Sequence, residues 1–343
     1  MTSFYDTLKT DDWDDVKQNI MDKSKNDAIA AINNPHRTLD DFMALISPAA
    51  TPLLEDMAVE ANRLTLERFG NTIQLYIPLY VSNYCTNFCV YCGFNHDNDI
   101  HRKMLTLEEV QAETDVITGW GFKHLLLVSG EAPAVTTVDY YEKVIRAVRD
   151  KFSQIALEVQ PLDTDDYARL HEAGLSFVCV YQETYNEQQY PKYHPKGRKA
   201  NYRYRLETPD RVCTAGVQKM GIGALLGLED WRGDAVMLAR HLHYLQRKYW
   251  RSRFSVNFPR MCPSESGFQP VSLISDRQLA EICQFSPRRA AELRDRLRAI
   301  EGLTNKQRVI ATAFADTDAI GFCRGAKTCF AVLHFVDGSL VGK

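Results

Sequence analysis

The sequence predicts an α/β fold: a partial (β/α)6 barrel with an N-terminal helical extension and a small unrelated α+β tail. Three observations carry the prediction. Six short apolar runs alternate with helical patterns between Thr72 and Phe258. Such alternation implies parallel strands joined by right-handed crossovers, and six units fall short of a complete eight-unit barrel. Before Asn71 three stretches carry helical patterns, and after Phe285 the β/α alternation stops.

In chain order, residues 11–21, 38–46 and 52–69 carry apolar positions at helical spacing, and Gly70 follows as a C′ residue. Residues 72–81 read as the first strand. Thr106 and Glu109 form a capping box before a helix that runs to about Gly119. Residues 124–128 are a strand, 140–152 a helix and 155–159 a strand. Thr164 caps a helix stopped by Gly174, and 177–181 is the fourth strand. Thr208 and Pro209 read as N-cap and N1 of a helix ending near Gly221. Residues 222–226, 235–250 and 254–258 then read as strand, helix and strand. Residues 286–300 form a charged helix, and 309–342 look like antiparallel strands with Asp337-Gly338 as a hairpin turn. The expected domains are residues 1–70, 71–285 and 286–343, the last a fused or truncated tail.

With 343 residues, 45% of them hydrophobic, the chain can bury one large core or a medium and a small one. A net charge of −3 gives no bulk signature of nucleic-acid binding. No apolar run approaches the roughly 18 residues of a membrane helix. Residues 1–15 are polar and acidic, with no basic n-region or apolar h-region. The expectation is a cytoplasmic protein without a membrane segment. Nine cysteines, scattered apart from one trio, argue against a disulfide framework. Cys179, Cys213, Cys262 and Cys283 read as small buried hydrophobes or ordinary thiols.

The trio is Cys85-Thr-Asn-Phe-Cys89-Val-Tyr-Cys92, directly after the first strand. Thiolates are the ligands of iron–sulfur clusters, and three of them on four irons leave one iron open to a ligand. The competing reading is a zinc site with His96 or His101 as fourth ligand. Ser129-Gly130-Glu131 follows the second strand, where Gly130 lets backbone approach a ligand and Glu131 can accept from an ammonium group. Glu158 ends the third strand, and Gly221-Ile-Gly223 opens a glycine-rich run at the fifth.

This spacing of cysteines resembles the radical S-adenosylmethionine (SAM) superfamily. The resemblance implies a [4Fe–4S] cluster on Cys85, Cys89 and Cys92, with SAM chelating the open iron and yielding a 5′-deoxyadenosyl radical. It places Tyr91 by the adenine and makes Ser129, Gly130 and Glu131 the element that holds the SAM amino group. Glu158 would take the ribose hydroxyls or the amino group. The Gly223 segment would lie along adenine and ribose, and Arg205 would bind the SAM carboxylate through its guanidinium fork.

Longer strings narrow the family. Arg68-Phe-Gly-Asn71, Tyr76-Ile-Pro-Leu-Tyr80, Tyr91-Cys-Gly-Phe94, Tyr181-Gln-Glu-Thr-Tyr185, Arg205-Leu-Glu-Thr-Pro-Asp-Arg211 and Phe258-Pro-Arg260 resemble the tyrosine lyases of thiazole biosynthesis, the 2-iminoacetate synthases. The resemblance implies cleavage of the Cα–Cβ bond of L-tyrosine to 2-iminoacetate and p-cresol for the thiazole of thiamine. A thiazole synthase would be the partner and a flavodoxin- or ferredoxin-type protein the electron donor. Gln182, Glu183, Thr184 and Tyr185 would face the cavity and orient tyrosine or relay a proton. The basic run from Tyr190 to Arg205 is expected as a solvated loop over the barrel mouth.

The family's continuation, with a Ser-Thr-Arg-Glu segment for the tyrosine carboxylate, has no counterpart after Phe285. Instead the stretch from Ala291, around Leu293-Arg-Asp-Arg-Leu-Arg-Ala-Ile and Ala313-Phe-Ala-Asp-Thr-Asp, resembles an internal piece of the UvrABC excision-repair nuclease subunit. Asp316 and Asp318 read as a solvated strand end, and Cys323 and Cys329 as ordinary thiols. The expectation is a fusion with an intact SAM half, an incomplete tyrosine half and exposed strand edges. The rival readings are the tyrosine lyases of hydrogenase maturation, which carry a second cysteine motif, a non-catalytic fusion that binds cluster and SAM, and a DNA-repair module.

Overall fold

The computed structural model describes residues 3–9, 12–72, 74–261, 267–271, 274, 275, 278, 317–324, 328–336 and 339–342. Two compact units divide the chain: Met1–Trp13 with Gln74–Ser272, and Asp14–Ile73 with Leu273–Lys343.

The N-terminal helices are α1 (Phe4–Leu8), α2 (Trp13–Met21), α3 (Lys25–Asn33), α4 (Leu39–Leu45) and α5 (Leu54–Phe69). Ser24 with Asp27 and Thr38 with Asp41 close capping boxes that start α3 and α4. Ala28, Ala31, Ala44, Leu45, Ala50, Leu53 and Met57 form one core, whose small side chains let the helices approach closely. Gly70 ends α5 at φ 59°, a conformation that disfavours a Cβ.

Six strands follow: β1 (Ile77–Ser82), β2 (His124–Ser129), β3 (Gln154–Glu158), β4 (Phe177–Cys179), β5 (Lys219–Gly223) and β6 (Arg253–Asn257). They form one sheet in the order β1-β2-β3-β4-β5-β6, each parallel to the next. Between them run α6 (Leu107–Gly119), α7 (Val138–Val148), α8 (Thr164–Ala173), the short α9 (Tyr190–Tyr193), α10 (Tyr202–Leu206) and α11 (Thr208–Thr214), and α12 (Trp231–Lys248). Spatial order equal to chain order is the progression of a partial (β/α) barrel.

Alternation divides each strand between two faces. Leu125, Leu127, Ile155, Leu157, Val178, Met220 and Ile222 are each 2% exposed or less and form the apolar layer under the helices. The intervening positions, including Glu158, Cys179, Gly221 and Gly223, line the concave face.

The differences from the sequence reading have local causes. β1 starts at Ile77 rather than Thr72. Asp163 is the N-cap of α8, with Thr164 already helical. α11 begins at Thr208 and ends at Thr214, because Gly216, at φ 90°, turns the chain well before Gly221. β5 therefore starts at Lys219 instead of Ile222. The short helices α1, α3, α9 and α10 were not anticipated.

A second sheet, antiparallel in the order β7-β8-β9, comprises β7 (Thr317–Arg324), β8 (Thr328–Val336) and β9 (Ser339–Gly342). The strands that flank Asp337-Gly338 pair as the turn signal implies. The expected helix at residues 286–300, the Asp337-Gly338 turn itself, and Cys262, Cys283 and Asp316 lie outside the described residues. Among the described residues, no single helix is long and apolar enough to cross a membrane.

Candidate active site

Every candidate group from the sequence lies at or just beyond the C-terminal end of a barrel strand, apart from Arg205 on α10. The cysteine loop between β1 and α6 has little regular secondary structure, so side chains satisfy its backbone. The Arg102 guanidinium donates to the carbonyls of Asn83, Phe94, Asn95 and Asn98. Asn95 and Asn98 donate to the carbonyls of Cys89 and Cys92 at 3.0 and 3.3 Å. On the other side, Thr86, Phe88 and Val90 donate N–H bonds to the carbonyls of Glu131, Lys196 and Tyr193. Gly130 is required by this contact: a Cβ there would lie 2.3 Å from the Tyr84 carbonyl oxygen.

Cys85, Cys89 and Cys92 are free thiols. Burial pushes Cys89 up to about 12 and Cys92 up to about 11, and the nearby Lys199 charge works against it at both. Among the described residues, no three His, Cys, Asp or Glu side chains converge on a single-ion site, the trio included. A tetrahedral zinc site needs such convergence, whereas cluster ligands sit on different irons. His96 turns to the Cys85 carbonyl at 3.4 Å and to the Phe88 ring. The donor set fits a [4Fe–4S] cluster with three protein ligands.

Beside the loop lies a buried charge network. Arg205 Nη1 donates to Glu131 Oε1 at 2.7 Å, and Asn87 Nδ2 donates to Glu131 Oε2 at 2.8 Å. Arg205 Nε donates to the Tyr181 carbonyl at 2.6 Å, and Lys199 pairs with Glu183 at 2.5 Å. Burial alone would raise the Glu131 carboxyl, but the Arg205 and Lys199 charges hold it below its ordinary 4.5. Glu158 behaves oppositely: burial pushes it up to about 7, although the Tyr181 hydroxyl donates to it at 3.1 Å. Glu183 adopts φ 72°, a strained conformation for a residue with a Cβ, and its carbonyl accepts from Leu225 N–H beyond β5.

Tyr91 extends over the same region. Its hydroxyl lies 2.8 Å from His194 Nε2, and His194 Nδ1 lies 3.2 Å from the Tyr190 carbonyl. Burial and the Lys199 and Arg205 charges push His194 down to about 2, so its ring is neutral. Nδ1 then donates to the carbonyl, and Nε2 accepts from Tyr91. Gly223 sits where a Cβ would meet the Asn257 carbonyl at 2.4 Å and the Tyr181 ring at 2.8 Å. Ser129 turns away from the charges, to the Tyr141 hydroxyl at 2.7 Å.

The quartet after β4 divides. Glu183 joins the charge network. Thr184 Oγ1 and Tyr185 N–H instead donate to Asp234 Oδ1 on α12, and the Tyr185 hydroxyl meets His241 Nδ1 at 3.0 Å. The expected cavity-facing orientation of Thr184 and Tyr185 is therefore replaced by packing on α12. Gln182 is buried, and its amide oxygen and nitrogen have no partner among the described residues.

Sequence reasoning did not single out Asn87, Lys199 or His194. Their signal lay in the run treated as a solvated loop and in the residue between two cysteines. The run is in fact amphipathic: Tyr190, Tyr193, His194, Tyr202 and Arg205 are buried, while Lys192, Lys196 and Arg198 are exposed.

The family profile described as the radical SAM superfamily matches residues 79–239. The chain is 46% identical to the 2-iminoacetate synthase of Escherichia coli (strain K12) over 83% of its own length and 76% of that protein's. It is 47% identical to that of Salmonella typhimurium with the same coverage. The crystal structure of HydG, a maturase of the [FeFe]-hydrogenase, aligns with a TM-score of 0.75 at 29% identity, over 80% of this chain and 64% of that one. A stretch of 67 residues is 45% identical to UvrABC system protein C of Symbiobacterium thermophilum, covering 19% of this chain and 10% of that protein.

Proposed function

The chain belongs to the radical SAM superfamily and, within it, to the 2-iminoacetate synthase family, and from that premise we propose that it cleaves the Cα–Cβ bond of L-tyrosine to 2-iminoacetate and p-cresol. The observation that carries the reading is the seating of the three-thiol loop against the buried Glu131–Arg205 pair on one rim of the barrel.

When bound, the cluster and SAM supply a reductively generated 5′-deoxyadenosyl radical; the protein's own groups bind, orient and exclude water. Cys85, Cys89 and Cys92 hold the cluster. An amino acid's ammonium and carboxylate form a charge pair, and Glu131 with Arg205 offers the complementary pair in a site of low dielectric. Asn87 keeps the second Glu131 oxygen occupied and so fixes the plane of the carboxylate. Gly130 and Gly223 let the Tyr84 and Asn257 carbonyls pack against the strand ends that form the site, the Gly223 segment would lie along adenine and ribose, Tyr91 is locked by His194 to offer a ring face, and Glu158 would take the ribose hydroxyls. Ser129 acts by fixing the β2 turn through Tyr141.

Gln182 offers one donor and one acceptor to tyrosine, because a buried amide without partners carries a desolvation cost that a ligand can offset. Thr184 and Tyr185 are positioning residues that hold the turn on which Gln182 and Glu183 sit. Residues 71–285 carry this chemistry, flanked by 1–70 and 286–343. A thiazole synthase takes the product, and a flavodoxin- or ferredoxin-type protein donates the electron. The HydG likeness supports a second reading, tyrosine cleavage for hydrogenase maturation, with the same bond broken.

The test is an anaerobic assay of the reconstituted protein with reductant, SAM and tyrosine, in which 5′-deoxyadenosine and p-cresol are quantified together. Tyrosine-dependent formation of both supports the lyase. 5′-Deoxyadenosine without p-cresol leaves a SAM-cleaving protein without tyrosine cleavage. Neither product from a protein that carries its cluster favours the non-catalytic fusion.

A further inference from the structure

Lys199 is unassigned by the reading above, yet it is among the more costly residues at the site. Its side chain is 12% exposed, pairs with Glu183 at 2.5 Å and lies 5.8 Å from the centroid of the Tyr91 ring, the residue before Cys92. Its backbone N–H donates to Asn87 Oδ1 at 2.9 Å, two residues before Cys89. The seating is enforced by Gly197, at φ 98°, where a Cβ would lie 2.4 Å from Asn87 Oδ1 and 2.9 Å from the Thr86 carbonyl oxygen. The Lys199 segment is thus clamped to the cysteine loop at the backbone, and its charge is the strongest influence opposing burial at both Cys89 and Cys92.

Removing an ammonium from water is expensive, and a single partner seldom repays it. Arg205 already serves Glu131 and stands 3.7 Å from Glu183, so Lys199 is not needed to neutralise either carboxylate alone. What a second buried cation adds is positive potential at the thiolates.

We infer that Lys199 is a fixed positive charge that raises the reduction potential of the three-cysteine cluster, held in place by the backbone clamp of its segment to Asn87. Reduction adds one negative charge to the cluster. A cation nearby in a medium of low dielectric stabilises the reduced form over the oxidised one, and net local charge is among the determinants of cluster potential. The inference rests on the cluster and not on tyrosine cleavage.

The experiment is a potentiometric titration of the reconstituted full-length protein, without SAM or tyrosine, followed by low-temperature electron paramagnetic resonance. At the wild-type midpoint, Lys199→Gln should show a reduced-to-oxidised ratio about tenfold lower, a shift of about 59 mV for one electron. Lys199→Arg keeps the charge and should restore the midpoint, while Glu183→Gln removes the opposing charge and should move it upward. An unchanged midpoint in Lys199→Gln with a full complement of iron overturns the inference. So does weaker SAM binding by that variant at an unchanged midpoint, which would make Lys199 a ligand contact. Should Lys199→Gln take up no iron, a Glu183→Gln midpoint that stays or falls overturns it. A wild-type protein that shows no cluster signal at all would instead sink the cluster reading itself.

Discussion

Two carboxylates on one rim are set in opposite directions by their neighbours. Glu131 shares its oxygens between Arg205 and Asn87, so its charged form is held even though it is buried. Arg205→Met leaves that carboxylate without its guanidinium, and loss of one partner of a buried pair costs about 3 kcal/mol or more. Urea unfolding of the variant at pH 7 should show that loss, and an unchanged midpoint would mean that Lys199 alone suffices. Glu158 has its folded carboxyl raised from 4.5 to about 7. A raised acid costs nothing below its unfolded value, and its penalty grows as pH climbs from about 4.5 through 7. Glu158→Gln should therefore match wild type near pH 4 and exceed it at pH 8, on the order of 2 kcal/mol on this half-open face. Equal stability at both pH values would place Glu158 in water.

At the scale of elements, α12 fixes the end of β4. Asp234 accepts from both Tyr185 N–H and Thr184 Oγ1, and burial pushes its own carboxyl up to about 8. Asp234→Ala leaves a buried N–H and a hydroxyl without an acceptor, a cost of about 1–3 kcal/mol. Asp234→Asn keeps an acceptor and should lose much less near neutral pH. The comparison is made by urea unfolding of both variants, and equal losses would show that the carboxyl's identity matters beyond hydrogen bonding. Elements were legible in the sequence wherever their signals are local. The capping box at Thr106 and Glu109 starts α6 as read, and the apolar runs mark all six strands. The boundaries of α11 and β5 were misread because two glycines compete to end the helix, and φ 90° at Gly216 decides for the nearer one.

On the scale of the molecule, the six-stranded sheet and the cysteine loop lie in the compact unit that includes Gln74–Ser272. The 2-iminoacetate synthase relatives align with 83% of the chain, and the UvrABC likeness accounts for 19% of it. Residues 286–343 belong to the other unit, and their removal should leave iron content and 5′-deoxyadenosine formation unchanged, measured on the purified, reconstituted variant. A fall in either would give the tail a part in the cofactor site.

The sequence by itself determined the parallel barrel progression, the position of the three thiols after β1 and the family, because period, spacing and motif are properties of neighbours along the chain. It also named Glu131 and Arg205, which the structure brings together. What it left open was which side chains meet. Asn87 contacts Glu131 and Lys199 from 44 and 112 positions away, Thr184 turns to Asp234 while Glu183 turns to Lys199, and a run rich in Lys, Arg and Tyr buries its aromatic half. Those choices depend on a strained turn at Glu183, on glycines without a Cβ at the contacts, and on the burial of charges whose partners lie far apart in sequence. Packing decided them, because the free energy of a buried charge depends on the neighbours that the fold brings to it.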